Sequence, residues 1–398
     1  MREKLALEGG RPVRSSPVPA WPVFDEREVE AVAQVVRSGK WGMQAGEQVK
    51  RFQEEFTTFV GARHGVCVVN GTAALEIAMR AMGLGPGDEV ITPAYTFIAT
   101  PNAALLLGAA PVFVDIDPDT YLLDPGKIEE AITEHTRAIM PVHYAGQPAD
   151  MDRIMDIARR HRLFVVEDAC QAWGAEWRGH PVGTIGNVGT FSFQSSKNIN
   201  AGEGGMVVTN DDALDEIIWS LHNVGRRRSG EWYEHVRVGW NYRMTEFQAA
   251  ILRVQLSRFP EQTATRDRNA RYLQAQLAHV AGVKPLAIDP GVTRHAWHIF
   301  VLRYQAEAFG GLPRAWFIDA LRAEGIPCGL GYLPLTRSQA IVDGLQALRK
   351  GKPRPCPIAE RACDEEAVLL TQNLLLGTRE DMDSIVEAIA KIQRAKGV

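Results

Sequence analysis

Between residues 65 and 210 the chain alternates short, near-continuous apolar runs with helical stretches, and no other feature restricts its fold so tightly. The runs cover 65–69, 89–92, 111–115, 138–142, 163–167, 189–193 and 206–209. A strand that is apolar along its whole length needs cover on both faces. Strand–helix–strand repetition makes the sheet mostly parallel. The fold class read from the sequence is therefore α/β, with seven strands and helices such as 73–82 and 151–160 packed between them. In such sheets ligands bind beyond the carboxyl ends of the strands, so functional residues are expected just after the runs.

The flanking regions suggest three parts. Residues 1–24 carry Pro12, Pro17, Pro19 and Pro22 and read as an extended arm lying on something else. Asp25 is placed to cap a helix over 26–36. A long helical pattern runs from Thr245, its expected cap, to about Val280, and Pro260 is expected to kink or restart it. Beyond it lie strand candidates 297–304 and 327–330 and helix candidates 313–323 and 379–394. At 398 residues the chain exceeds one small core. The expected division is an arm over 1–24, a large domain over 25–252 and a smaller α+β domain over 253–398.

Composition removes several partner classes. The 44 basic and 48 acidic residues leave a formal charge of −4, which offers no general attraction for nucleic acid. The five cysteines are scattered, with no CxxC pair, so neither a disulfide frame nor a metal site is expected. No apolar stretch reads as a signal peptide or a membrane span. A cytoplasmic enzyme is the expectation.

Five segments carry candidate chemistry. In LFVVEDACQAWGA, Asp168 ends an apolar run. A carboxylate desolvated there serves either as a helix cap or buried ion pair, or as the partner of a protonated pyridine nitrogen, which it keeps electron-withdrawing. Gln171 is placed to reach the neighbouring ring hydroxyl. In GTFSFQSSKNINAGEGGMVVTND, Lys197 follows a strand and precedes a glycine-rich turn. A lone lysine is ordinarily a solvated loop residue, but apolar walls and a nearby cationic ring favour its neutral, imine-forming amine. Ser192 supplies a hydroxyl beside it. In VVNGTAALEIAMRAMG, Gly71 and Thr72 open a helix whose free amides suit a phosphate, although many helices begin this way. In ITPAYTFIATPNA, Phe97 is either core or a platform for a flat ring. In VGWNYRMTEFQAAI, Asn241 and Arg243 stand between aromatics before a helix. A Schiff-base lysine, a carboxylate for a ring nitrogen, a phosphate cradle and a stacking aromatic together are the requirements of a pyridoxal 5′-phosphate site.

The runs EDACQAWGA, FSFQSSKNINAGEGGMVVTND and GWNYRMTEFQAA, in that order and spacing, resemble the DegT/StrS family of sugar aminotransferases over about residues 21–377. The resemblance implies a PLP-dependent transferase of fold type I, working as a homodimer with shared active sites. It implies that Lys197 forms the Schiff base and Asp168 faces the pyridine nitrogen, the two catalytic residues. Gln171 would face the ring oxygen, Ser192, Gly71 and Thr72 the phosphate, and Phe97 the ring. Asn241 would reach the phosphate held by the neighbouring subunit. Tyr332, His298 and Arg243 are the substrate candidates, and no metal is implied. Where many relatives acting on nucleotide-linked sugars have a histidine after a Tyr-Pro-Pro-Leu-like segment, GYLPLTRSQ has Thr336. The GGRPVR…WPVF and TQNLLLG segments resemble members that aminate cyclitol ketones.

The expected activity is transfer of an amino group from glutamate or glutamine to the ketone of a keto-sugar or keto-cyclitol. Three other readings share the fold. A sugar dehydratase replaces the lysine by histidine, which Lys197 argues against. A regulatory homologue would lack the lysine or aspartate. An aminobenzoate-forming synthase keeps the same site. The basic run Arg226, Arg227 and Arg228 reads as a solvated loop before a diphosphate or carboxylate site.

Overall fold

A computed structural model describes residues 4–396. Seven strands build the main sheet: β1 His64–Val68, β2 Glu89–Pro93, β3 Ala110–Val114, β4 Thr136–Ile139, β5 Phe164–Asp168, β6 Val188–Ser192 and β7 Gly205–Thr209. Their order is β1-β7-β6-β5-β4-β2-β3. β7 pairs antiparallel with both neighbours, and the other pairings are parallel. Each expected run lies within two residues of a strand start. β4 ends three residues early, at Ile139, and Val142 keeps only a single bridge to Asp168.

Helices cover both faces, as the apolar strands require. On one side α2 (Gln48–Val60) and α5 (Met151–His161) bury Phe52, Phe56 and Ile154 against the sheet. On the other, α3 (Gly71–Ala81), α4 (Ala99–Leu106) and α6 (Asp212–His222) bury Leu75, Met79, Ala103 and Ile218. α1, Glu26–Ser38, starts at the capping box made by Asp25 and Glu28.

The long helix α7, Glu246–Leu277, opens on a second capping box between Thr245 and Gln248. It neither ends nor restarts at Pro260, contrary to that half of the sequence expectation. Proline costs one helical hydrogen bond, and packing on both sides outweighs that loss. Ala249, Leu252 and Phe259 sit in the core of the main sheet, whereas Ala270, Leu273 and Leu277 belong to a second core. That second core surrounds an antiparallel sheet of Val283–Pro285, Ile299–Tyr304 and Ala367–Thr371, with the Arg314–Ala323 and Arg379–Lys396 helices. The strand expected over 327–330 is not formed. Gly329 makes one isolated bridge to Leu369, and the AVLLT run at 367–371, unread in the sequence, supplies the third strand.

The arm is pinned to this second core. Leu5 is fully buried in it. The buried Glu324 carboxylate accepts from the Ala6 N–H at 2.8 Å and the Val13 N–H at 3.0 Å, and pairs with Lys391 at 2.9 Å. The two halves meet where Ala296 and His298 N–H groups donate to Gly146 and Ala145 carbonyls, both at 2.9 Å. Gly146 has φ +96°, and a Cβ there would lie 2.8 Å from the Trp297 nitrogen. Only glycine allows so close an approach. No helix among the described residues is long and apolar enough to cross a membrane.

Candidate active site

The carboxyl ends of β2, β5 and β6 open onto a cavity of about 620 Å³. Its walls include Gly71, Thr72, Phe97, Asp168, Gln171, Ser192, Lys197, His298 and Tyr332. The motif residues, spread over more than 250 positions of sequence, thus converge on one space. Asn241 and Arg243 do not line it. Asn241 is exposed, and Arg243 donates to Asn223 Oδ1 at 2.9 Å.

Asp168 is the last residue of β5 and is buried. Its Oδ2 accepts from the Thr100 hydroxyl at 2.8 Å, and Oδ1 accepts from the Cys170 N–H at 3.2 Å. Thr100 in turn shares a 2.9 Å hydrogen bond with the Thr96 hydroxyl. Sequence reading missed this hydroxyl pair, although the i, i+4 spacing of two threonines after β2 is its signal. The preceding residue, Glu167, faces the opposite way. Its carboxylate is fully buried and accepts from the backbone N–H groups of Gly183, Ile185 and Gly186 at 2.6–2.7 Å. His143 Nδ1 accepts from the Ala149 N–H, which leaves Nε2 to donate to Glu167 at 3.0 Å. This network fixes the strand end on which Asp168 stands.

Burial pushes the Lys197 ammonium below its ordinary basicity, while Cys170 and Asp168 pull the other way. Its Nζ lies 5.9 Å from the centre of the buried Trp173 ring. His298 packs edge-on against the same ring at 5.5 Å. Asn198 Nδ2 donates to Ala296 O, so Asn198 Oδ1 accepts from His298 Nδ1 at 2.9 Å. Burial first, and then the Lys197 and Arg266 charges, hold His298 neutral, far below the usual histidine range. Both ends of the Gln171 amide are held, Oε1 accepting from Ala145 N–H and Nε2 donating to the Tyr332 hydroxyl, both at 2.8 Å, which leaves one N–H free among the described residues. Phe97 is 54% exposed, so it is a cavity wall rather than core.

Whether these residues fit a phosphorylated pyridine ring is decided at the start of α3. Asn70 caps the helix through the Ala73 N–H at 2.8 Å. The first-turn amides of Gly71 and Thr72 have no partner within a helix. A Cβ on Gly71 would sit 2.8 Å from Ser192 Cβ and 3.1 Å from Cys170 Sγ. The corner is therefore a backbone cradle that a side chain would fill, edged by the Ser192 and Thr72 hydroxyls, as a phosphate needs. With Asp168 and a lysine of lowered basicity lining the same cavity, the residues fit the group. On a mostly parallel seven-stranded sheet, this is the architecture of pyridoxal-phosphate-dependent transferases of fold type I.

Comparison with known proteins makes the assignment specific. The model of the DegT/DnrJ/EryC1/StrS aminotransferase family matches residues 22–390. A protein of Streptoalloteichus tenebrarius provisionally named L-glutamine:3-amino-2,3-dideoxy-scyllo-inosose aminotransferase is 41% identical over 99% of both chains. The 3-amino-5-hydroxybenzoate synthase of Amycolatopsis mediterranei is 37% identical over 94% of this chain and 96% of its own. The crystal structure of a 3-amino-5-hydroxybenzoic acid synthase superposes with a TM-score of 0.88 at 36% identity, covering 95% of this chain and 99% of that one. The chain belongs to the DegT/DnrJ/EryC1/StrS family and is a PLP-dependent aminotransferase.

Proposed function

We propose that this enzyme moves the amino group of L-glutamine to the ketone of a keto-cyclitol, working as a cytoplasmic homodimer. The charge of the cavity wall carries the acceptor reading. Besides Lys197, its ionisable side chains include two carboxylates, Asp168 and Glu203. Asp168 is balanced by the ring nitrogen once the cofactor is bound, which leaves Glu203 to disfavour a diphosphate, whereas a neutral polyol ketone meets no such repulsion. The Arg226–Arg228 run is committed elsewhere. Arg228 binds Asp215 at 2.7 Å, Arg227 lies 3.8 Å from Glu234, and Arg226 stacks over Trp232. Thr336, where a histidine stands in many nucleotide-sugar relatives, gives its hydroxyl to Glu360 at 2.7 Å. The relative with 41% identity carries both glutamine and a cyclitol ketone in its name.

When bound, pyridoxal phosphate supplies an electron-withdrawing ring that stabilises negative charge at the donor's α-carbon. Gly71, Thr72 and Ser192 would hold its phosphate, and Phe97 would lie against the ring. Asp168 would keep the ring nitrogen protonated, and Thr100 fixes that carboxylate. The free N–H of Gln171 would face the ring oxygen. Lys197 would anchor the cofactor and, as a free amine, would hold at Nζ the proton removed from the donor's α-carbon. His298 and Tyr332 contact the substrate. The exposed Asn241 is offered to the phosphate held by the partner subunit, with Arg243 beside it at that interface.

Incubating the loaded enzyme with L-glutamine and 2-deoxy-scyllo-inosose, against a nucleotide-linked keto-sugar, tests the reading by mass spectrometry of the amine. An aminated cyclitol is expected. Amination of the nucleotide sugar alone contradicts the acceptor assignment. An ultraviolet-absorbing aminobenzoate formed from a cyclic amino-ketone would favour the synthase named in the 37%-identical relative.

A further inference from the structure

Arg266, in the middle of α7, is fully buried, yet its hydrogen bonds go to neutral groups. Nε and Nη2 both donate to Gln372 Oε1, at 2.9 and 2.6 Å, and Nη2 reaches Gln262 Oε1 at 3.5 Å. The Trp21 ring stands 5.3 Å from the guanidinium carbon. Nη1 is buried without a hydrogen-bond partner. Burial holds its pKa down to about 9. A buried cation without a counter-ion is costly, and a fold that keeps one keeps it beside something it attracts.

That neighbour is the active site. Gln372, only 2% exposed, is part of the cavity wall together with Thr371. Because two N–H groups of Arg266 converge on its oxygen, the amide orientation is set: Oε1 belongs to the arginine, and Nε2 is the end left to donate. Nε2 has no hydrogen-bond partner among the described residues. An amide whose oxygen is bound by a guanidinium is a polarised, stronger donor. Trp21 ties the cluster to the lysine loop, since its indole N–H donates to Ser195 O at 3.0 Å.

We propose that Gln372, oriented and polarised by Arg266, binds the carboxylate of the amino donor at the cavity wall. The inference rests on the transamination reading above. Every amino-acid donor brings a carboxylate, and the wall already holds Glu203, which repels it. The Arg266 charge offsets that repulsion, and the Gln372 amide supplies the directed contact. A neutral cyclitol has no need of it.

Two variants test this in the cofactor-loaded protein. Gln372→Glu keeps an oxygen partner for Arg266 but presents a negative oxygen to the donor, and Gln372→Met removes the amide. L-Glutamine is titrated while the visible band of the cofactor is followed, and glutarate, an unreactive carboxylate, is titrated by calorimetry. Loss of one charge-assisted hydrogen bond is expected to raise half-saturating glutamine and the glutarate Kd by about 10–100-fold in both variants. The band before donor addition should stay as in wild type. Unchanged glutamine and glutarate affinities would overturn the proposal, as would a change confined to the acceptor. A wild-type band that glutamine never moves, but glutarate binding that depends on Gln372, would separate failure of the transamination reading from failure of this site.

Discussion

At the residue scale, the site is built from groups whose ordinary behaviour has been altered by burial. Lys197 is less basic than a free lysine because it is desolvated beside Trp173. Asp168 is held by one hydroxyl, Thr100, with Thr96 behind it. Thr100→Val keeps the shape and removes the donor, so cofactor affinity is expected to fall about tenfold, the worth of one hydrogen bond to a charged group. Thr100→Ser should restore it. An absorbance titration with pyridoxal phosphate decides, and a valine variant equal to wild type would contradict the role given to Thr100. At Gly71 the same titration should show a larger loss for Gly71→Ala, because the added Cβ would meet Ser192 at 2.8 Å. Tight binding by that variant would remove the phosphate from this corner.

Elements explain how such distant residues meet, and also what the sequence conceals. The seven strands were legible because each is a continuous apolar run, and the residues placed just past 163–167 and 189–193 line the cavity as read. Lys197, Asp168, Gln171, Ser192, Gly71, Thr72 and Phe97, singled out by their place in the chain and by the family resemblance, all line the cavity. Contacts between elements far apart in the chain were not legible. Gln171 spends its amide on Tyr332, and Arg266 spends its guanidinium on Gln372, 161 and 106 positions away. No periodicity encodes such a pairing. The 327–330 run meets the outer edge of 367–371 only at Gly329, an isolated bridge, and Pro327 has no N–H to extend it. We propose that the chain divides into large and small domains near residue 252, with α7 shared between their cores and the arm belonging to the small one. Deleting residues 1–16 strips the buried Glu324 carboxylate of two N–H donors. A loss of about 3 kcal/mol is expected, read as a lower urea midpoint. An unchanged midpoint would show the arm to be dispensable.

For the whole molecule, buried neutral histidines set the acid limit. Burial takes His222 down to about 4 and His295 to about 3, and it holds His298 well below 6.5. Below the unfolded value of about 6.5, the unfolded chain binds protons that the folded chain refuses. Stability therefore falls as pH drops, by about 1.4 kcal/mol per pH unit for each histidine, until its folded value is reached. Urea unfolding at pH 7 and pH 5 should show that loss, and equal midpoints would mean that these rings are accessible to solvent.

The central claim is that one lysine carries the cofactor and that an amino donor unloads it. Absorption spectra of the wild type and of Lys197→Ala, before and after L-glutamine, test it most directly. The account predicts a visible cofactor band in the wild type that glutamine converts to the aminated form, and no such conversion in the variant. A wild type that binds no chromophore, or a variant that converts as the wild type does, would contradict it.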